Sequence, residues 1–275
     1  MASEGLSEAA RGLVESIAAL GSVVVAFSGG VDSAVVVAAA HRALGSSAVA
    51  WTSHGAAVPE SDRRAAREVA AQIGIRHVEI ATRELEDPNY AQNGPDRCFH
   101  CKSTLYSSIR QWADENGYGT ILSGTNHDDL GDYRPGLRAA DGWGVVAPLA
   151  ELGLGKDRVR ELAREWGVTV ADKPSSPCLS SRIAYGQVVT LGRLKSIESM
   201  ELWMSQRGFH DVRARLHADG LLRIELQADA LLRAVQEEMR SAMLQRAQEL
   251  GFRYVTLDLQ GRSSGSLNRV LELGQ

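Results

Sequence analysis

The sequence is short of cysteine, aromatic residues and basic excess, and it has no long apolar run. Each shortage excludes something. Three cysteines in 275 residues cannot build a disulfide framework. A C-x-x-C in such a chain points to metal or redox chemistry, and a reducing cytoplasm is the expected compartment. A net charge of −4 gives no electrostatic footprint for a polyanion, so nucleic acid is not an expected partner. No stretch approaches the roughly 20 apolar residues that span a bilayer, so no membrane is expected. The first twenty residues lack a basic region followed by an apolar core, and read as an amphipathic helix rather than a signal peptide. What remains is ordinary globular composition, 44% hydrophobic.

The first two thirds of the chain alternate short β-branched runs with helical patterns. "SVVVAF", "AVAWTS", "RHVEIA" and "TILSG" read as strands. The segments between them read as helices, with "KSTLYSSIRQWADENG" before the fourth strand. This alternation predicts right-handed βαβ units and an α/β fold with a parallel sheet covered on both faces. After about Thr190 the pattern changes. A helix, two strands around Asp219-Gly220, one long helix over residues 230–251 and a last strand "YVTLDLQ" predict a small α+β domain. The expected domains are 1–186 and 187–275. The apolar stripe of residues 231–250 reads as core or as an oligomer face.

The strongest motif is "SGGVDS": Ser28, Gly29, Gly30, Val31, Asp32 and Ser33. It follows an apolar strand directly and opens a helix. The glycines allow positive φ and let backbone N–H groups converge on an anion. The helix start adds its partial positive charge, and the serines add hydroxyl donors. Asp32 suits Mg²⁺ or a capping role. The motif resembles the PP-loop of the ATP pyrophosphatase superfamily, which binds the pyrophosphate of ATP and adenylates a substrate. The bland alternative is a glycine-rich turn without a ligand. The loop after the fourth strand, residues 123–136, is expected at the same sheet edge. There Gly124, Thr125 and Asn126 approach the nucleotide, and Asp128, Asp129 and Asp132 hold Mg²⁺ through water or orient a substrate.

Cys98 and Cys101 stand in "PDRCFHCK", and Cys178 in "KPSSPCLSSRI". Pro174 and Pro177 prevent a helix there. Beside Arg182 and Lys173, Cys178 reads as an activated thiolate or as a buried inert thiol. Further on, "VRARLHADGLLRIE" places Arg213, Arg215 and His217 on one strand face, a cationic stripe suited to phosphate and carboxylates, with Arg223 on the partner strand. The alternative there is a solubilising edge face.

Taken in order with "GTNHDDLGDYRPGLRA" and "LDLQGRSSGSLN", these motifs resemble the LarE-type sulfur transferases of nickel-pincer nucleotide cofactor synthesis over nearly the whole chain. The resemblance implies ATP-dependent conversion of the carboxylates of pyridinium-3,5-biscarboxylic acid mononucleotide to thiocarboxylates. It implies Glu201, Arg213 and Arg215 near the substrate, Arg182 among the cofactor-binding residues, and ATP and Mg²⁺ as cofactors. It also implies a [4Fe–4S] cluster on Cys98, Cys101 and Cys178, whose fourth iron is open to sulfide. Three alternatives stay open: a redox pair, a zinc site including His100, and Cys178 alone as a sacrificial donor. The expected partners are a small-molecule nucleotide, a sulfide donor and further copies of the chain. At residues 261–266, "GRSSGS", Arg262 and Ser263 fall where the family has Tyr and Arg, which puts the role of that loop in doubt. The rival readings are tRNA thiolation, amide formation by an adenylating synthetase, and a non-catalytic scaffold.

Overall fold

A computed structural model describes residues 7–131, 135–173, 176–263 and 267. The elements follow in chain order: α1 (Glu8–Ala18), β1 (Val23–Ala26), α2 (Val31–Leu44), β2 (Ala48–Ser53), α3 (Glu60–Ile73), β3 (Arg76–Ile80), α4 (Pro88–Ala91), α5 (Arg97–Asn116), β4 (Thr120–Leu122), α6 (Pro135–Gly142), α7 (Pro148–Glu151), α8 (Lys156–Glu165), α9 (Leu191–Ser205), β5 (Arg213–Leu216), β6 (Leu221–Glu225), α10 (Leu231–Ala234), α11 (Glu237–Glu249) and β7 (Tyr254–Leu257). They form two compact units. The first comprises Met1–Glu84 and Cys98–Ser176, and the second Leu85–Arg97 and Pro177–Gln275.

In the first unit four parallel strands stand in the order β3-β2-β1-β4. Side chains of a strand alternate between sheet faces. Accordingly Val23 and Val25 pack with α2, while Val24 packs with Trp51, Tyr106 and Ile109 on the other face. The central strands β1 and β2 are covered on both faces, which is why they read as apolar runs, whereas β3 at the edge carries Arg76, His77 and Glu79 and is only partly buried. Helix α2 carries Ala34–Ala40 fully buried, consistent with the absence of charged residues between Asp32 and His41. The parallel α/β architecture agrees with the sequence reading.

The second unit has a three-stranded sheet, β5-β6-β7. β5 and β6 are antiparallel, and β6 and β7 are parallel. The β5–β6 connection turns through Asp219 at φ 57 and Gly220 at φ 73, the positive-φ pair that a tight hairpin requires.

Three features differ from the sequence reading. The units part at Ser176/Pro177 rather than 186/187, because Tyr90, Asn93 and Arg97 hydrogen-bond to the segment that follows Pro177. Helix α5 begins at Arg97, so Cys98 and Cys101 lie in its first turns and not in a loop before it. The long helix of residues 230–251 is broken: Gln236 is extended at φ −59, ψ 142, and a new helix starts with Glu237 and Glu238 in its first turn, where acidic side chains favour a helix start. Leu232 and Val235 are exposed, so only part of that apolar stripe is core.

Candidate active site

In the first unit the sequence SGGVDS bridges β1 and α2. Gly29 has φ +73, and a Cβ there would stand 3.0 Å from the Ala66 backbone, so both conformation and space demand glycine. Gly30 does not use positive φ; at φ −86, ψ 160 it caps α2. The hydroxyls of Ser28 and Ser33 lie 3.1 Å apart, and the Ser33 Oγ also accepts from Ser28 N. The loop is thus held by its own side chains at the start of a 14-residue helix. Gly124, after β4, packs against it so closely that a Cβ would stand 2.6 Å from Ser33 N.

Asp32 carries a paired charge. Its carboxylate accepts from Asn126 Nδ2 at 3.1 Å and from Lys156 Nζ at 2.5 Å. Asn126 is buried, and its Oδ1 accepts from the backbone of Asp128 and Asp129. The acids of this loop serve the fold: Asp128 accepts from Lys156 N at 2.7 Å and Asp129 from Asn126 N at 3.1 Å. Asp132 lies outside the described residues, as do residues 264–266 of the loop that departs from the family pattern. Lys156 is the residue that sequence reasoning missed. A signal existed: it is the first residue of α8, the end of a helix where a cation is unfavourable unless something compensates it. Asp32 is that compensation, and it joins Lys156 to the phosphate loop.

In the second unit Cys178 is half-buried and caps a short 3₁₀ turn, Leu179–Arg182. Arg182 is 2% exposed. Its Nη1 donates to the carbonyls of Pro177 and Cys178, the latter at 3.0 Å, and to Ser181 Oγ at 3.1 Å. Its Nε and Nη2 donate to the two carboxylate oxygens of Glu201 at 3.0 and 3.3 Å. Glu201, on α9, also accepts from Ala214 N at 3.0 Å. The other side of the turn is held by the inserted segment. Tyr90 Oη and Ser180 Oγ lie 2.5 Å apart, and Arg97 Nη1 donates to Ser180 O at 2.8 Å. Asn93, at φ 59, donates through Nδ2 to the carbonyls of Ile183, Ala184 and Gln187.

Arg213 and Arg215 share a strand face as expected, but the face is buried and its charges are matched. Arg215 donates to Glu225 at 2.9 Å and to Ser181 O at 2.9 Å. Arg213 pairs with Asp211 at 3.1 Å, and Arg223 with Asp258 at 2.7 Å and Glu225 at 3.3 Å. An exposed solubilising edge is therefore excluded for Arg213 and Arg215. Burial, followed by the nearby charge of Arg182, pushes the Arg213 guanidinium below its ordinary range. His217 falls just past β5 and accepts from Arg223 Nε at 3.1 Å. It lines a groove of about 540 Å³ with Arg193, Asp219 and Arg253, away from the lining of which Arg213 and Arg215 stand.

Cys98 and Cys101 are three residues apart on α5, hence neighbours on one helix face. Cys178 belongs to the other unit. Among the described residues no group of three or more His, Cys, Asp or Glu side chains is arranged to hold a metal ion. The three thiolates of the implied cluster are divided between the units, two on α5 and one at the 3₁₀ turn. Magnesium asks less of a protein, commonly one or two carboxylates plus the phosphates of the nucleotide. Asp32, beside the phosphate loop, fits that need.

Residues 8–95 match the family model described as asparagine synthase. The chain is 34% identical over 268 residues to pyridinium-3,5-bisthiocarboxylic acid mononucleotide synthase of Lactiplantibacillus plantarum, covering 96% of this chain and 95% of that protein. It belongs to the LarE-type, ATP-dependent sulfur transferases. The uncharacterized protein slr1717 of Synechocystis is 40% identical over 252 residues, 92% of this chain and 94% of its own. The tRNA-specific 2-thiouridylase MnmA of Zymomonas mobilis is 31% identical over 191 residues, but that covers only 56% of this chain and 51% of the relative. The match to the LarE-type sequence covers nearly the whole of both chains, while the match to the thiouridylase covers about half of each. Among the described residues no helix is long and apolar enough to cross a membrane.

Proposed function

We propose that the chain adenylates the carboxylates of pyridinium-3,5-biscarboxylic acid mononucleotide and replaces AMP with sulfur, giving thiocarboxylates and releasing AMP and pyrophosphate. One observation carries the reading beyond the shared phosphate loop: a half-buried cysteine fixed by a buried arginine, in the same unit as Arg213 and Arg215. A synthetase that captures ammonia has no use for that cysteine.

In the first step a substrate carboxylate attacks the α-phosphorus of ATP. The backbone N–H groups of Ser28–Ser33 and the start of α2 receive the departing pyrophosphate, and preorganised dipoles of this kind contribute most of such stabilisation. Lys156 stands paired with Asp32 until phosphate charge competes for it. Magnesium, when bound, neutralises phosphate oxygens, with Asp32 as its protein carboxylate. Arg213 and Arg215 receive the anionic groups of the mononucleotide. An anion there offsets the burial and, after it, the charge of Arg182, which together lower the Arg213 proton affinity. Glu201 holds Arg182 and orders the start of β5 through Ala214.

In the second step the Cys178 thiolate attacks the acyl-adenylate and AMP leaves, so that a thioester links substrate and protein. Cleavage of the Cys178 Cβ–S bond then leaves sulfur on the substrate and dehydroalanine in the chain. Two carboxylates need two such events.

The test supplies full-length chain, ATP, magnesium and the biscarboxylate mononucleotide. AMP and pyrophosphate are expected only with that substrate, and the Cys178 peptide is expected to lose the mass of H₂S. ATP cleavage triggered by RNA alone would overturn the proposal in favour of tRNA thiolation. The helical pairing of Cys98 with Cys101 favours a second sulfur source, sulfide held on a cluster by the three thiolates. Anaerobically purified chain with about four irons, and an intact Cys178 after turnover, would establish that source instead.

A further inference from the structure

Arg182, Arg213 and Arg215 are buried, and each is matched by an acid. Glu84, in the first unit, departs from that rule. It is 7% exposed, and no cation pairs with it among the described residues. Its partners are two hydroxyls. Thr82 Oγ1 donates to Glu84 Oε1 at 2.6 Å, and Ser53 Oγ donates to the same oxygen at 3.4 Å. The two hydroxyl oxygens lie 2.5 Å apart. Each hydroxyl has a single proton to donate. Both are directed to the side of Oε1, and Oε2 accepts no hydrogen bond from the described residues. The space beside Oε2 is kept by Gly55, where a Cβ would stand 2.6 Å from Oε2 and 2.8 Å from Oε1. Gly55 N donates to Ser53 Oγ at 3.1 Å, which fixes that space. A buried carboxylate held by neutral donors on one oxygen is costly, and a ligand that brings a donor to the other oxygen offsets the cost.

The place of this carboxylate says which ligand. Thr82 and Glu84 follow β3, Ser53 ends β2 and Gly55 follows it, and the phosphate loop follows β1. These strands are parallel and adjacent in the order β3-β2-β1. All three connections therefore stand at the carboxyl edge of the sheet, where open α/β sheets bind ligands. Neighbouring strands lie about 4.8 Å apart, so the carboxylate is one to two strand spacings from the phosphate loop. That is the distance from the phosphates of a nucleotide to its sugar. We infer that Glu84 Oε2 accepts a hydrogen bond from a ribose hydroxyl of ATP, so that this residue reads the sugar of the nucleotide. The adenine amino group fits less well, because ring nitrogens with lone pairs flank it and repel a carboxylate. The inference goes beyond the function proposed above. It rests on ATP use alone, whatever the donor and the acceptor of sulfur.

Calorimetric titration of the full-length chain, with magnesium and without the mononucleotide, tests it. Wild type should bind 2′-deoxy-ATP or 3′-deoxy-ATP about 10-fold to 10²-fold more weakly than ATP, the worth of a hydrogen bond to a charged group. In Glu84→Gln the hydroxyls of Thr82 and Ser53 hold the amide oxygen, which turns an N–H towards the sugar. ATP and that analogue should then bind within about twofold of each other. Gly55→Ala keeps the carboxylate and closes the space beside Oε2, and it should narrow the same ratio. A structural role for Glu84 weakens every nucleotide alike and leaves the ratio as it was. Wild type that binds both deoxy analogues as tightly as ATP would overturn the inference, as would a Glu84→Gln chain with the wild-type ratio. ITP, which lacks the amino group, separates base from sugar: its deficit relative to ATP should be equal in wild type and Glu84→Gln. A deficit that disappears only for ITP would assign the carboxylate to the base and overturn the ribose reading. A chain that binds no ATP removes the nucleotide reading of the phosphate loop, and this inference with it. A chain that shows the predicted ratio and makes no thiocarboxylate upholds the inference and overturns the proposed function instead.

Discussion

In the first unit an anion cradle is made of glycines, two serine hydroxyls and the start of a helix, with one ion pair beside it. In the second, a cysteine turn is fixed by a buried arginine, and the arginines around it are matched by Glu201, Asp211, Glu225 and Asp258. The contrast is one of materials. A backbone cradle tolerates the loss of a side chain and fails when a Cβ intrudes. A network of buried charges tolerates small changes of shape and fails when one partner is removed, because the other is left charged and dry.

Predictions that would break or sharpen this contrast run from large to small. Glu225→Ala should cost the second unit about 3–5 kcal/mol, since it strands Arg215 and weakens Arg223. Denaturant unfolding measures it, and a cost no larger than that of a surface substitution would dissolve the contrast. Gly124→Ala should slow substrate-dependent pyrophosphate release by about 10²-fold, because the new Cβ displaces Ser33 and the loop with it. The same substitution should leave the second unit's melting unaltered. Lys156→Met should slow release by about tenfold or more, the worth of a charged hydrogen bond to phosphate. An equal loss of stability and rate would show that Lys156 serves only Asp32.

The smallest effect is on pH dependence. Burial, then the charges of Arg223 and Arg215, hold the His217 imidazole below its ordinary 6.5. Its folded form stays neutral where the unfolded form has taken a proton. Its contribution is therefore intact above pH 6.5 and is lost as pH falls below that value. His217→Gln should flatten the acid side of the stability profile by less than ~1.4 kcal/mol for each pH unit. His77, which is lowered chiefly by burial, keeps a remaining slope.

The same contrast explains what was legible in the sequence. The central strands of the first unit, β1 and β2, are largely apolar runs, and the phosphate loop is six adjacent residues whose geometry is local. Both could be read directly. The hairpin at Asp219-Gly220 was legible for the same reason, since two residues set its turn. Lys156, in contrast, joins the phosphate loop from 124 residues away along the chain. Asn93 and Arg97 reach the Cys178 turn from Leu85–Arg97, a segment in which no sequence pattern points to that pairing. The arginines of β5 announced a charged face, but the sequence did not reveal that acids from other elements would bury and balance it. Pairings between distant side chains leave no period to read. The break at Gln236 was missed because helix propensity is continuous across it.

The chain passes from one unit to the other three times, at Glu84, Arg97 and Ser176. During synthesis, Tyr90, Asn93 and Arg97 emerge before Cys98–Ser176 has been made. At about 5–20 residues per second they wait on the order of several seconds for the carbonyls they will bind. The cysteine turn is therefore a late product of translation, completed only after the parallel sheet is available to fold. A gene fragment beginning at residue 187 would carry neither clasp nor cysteine.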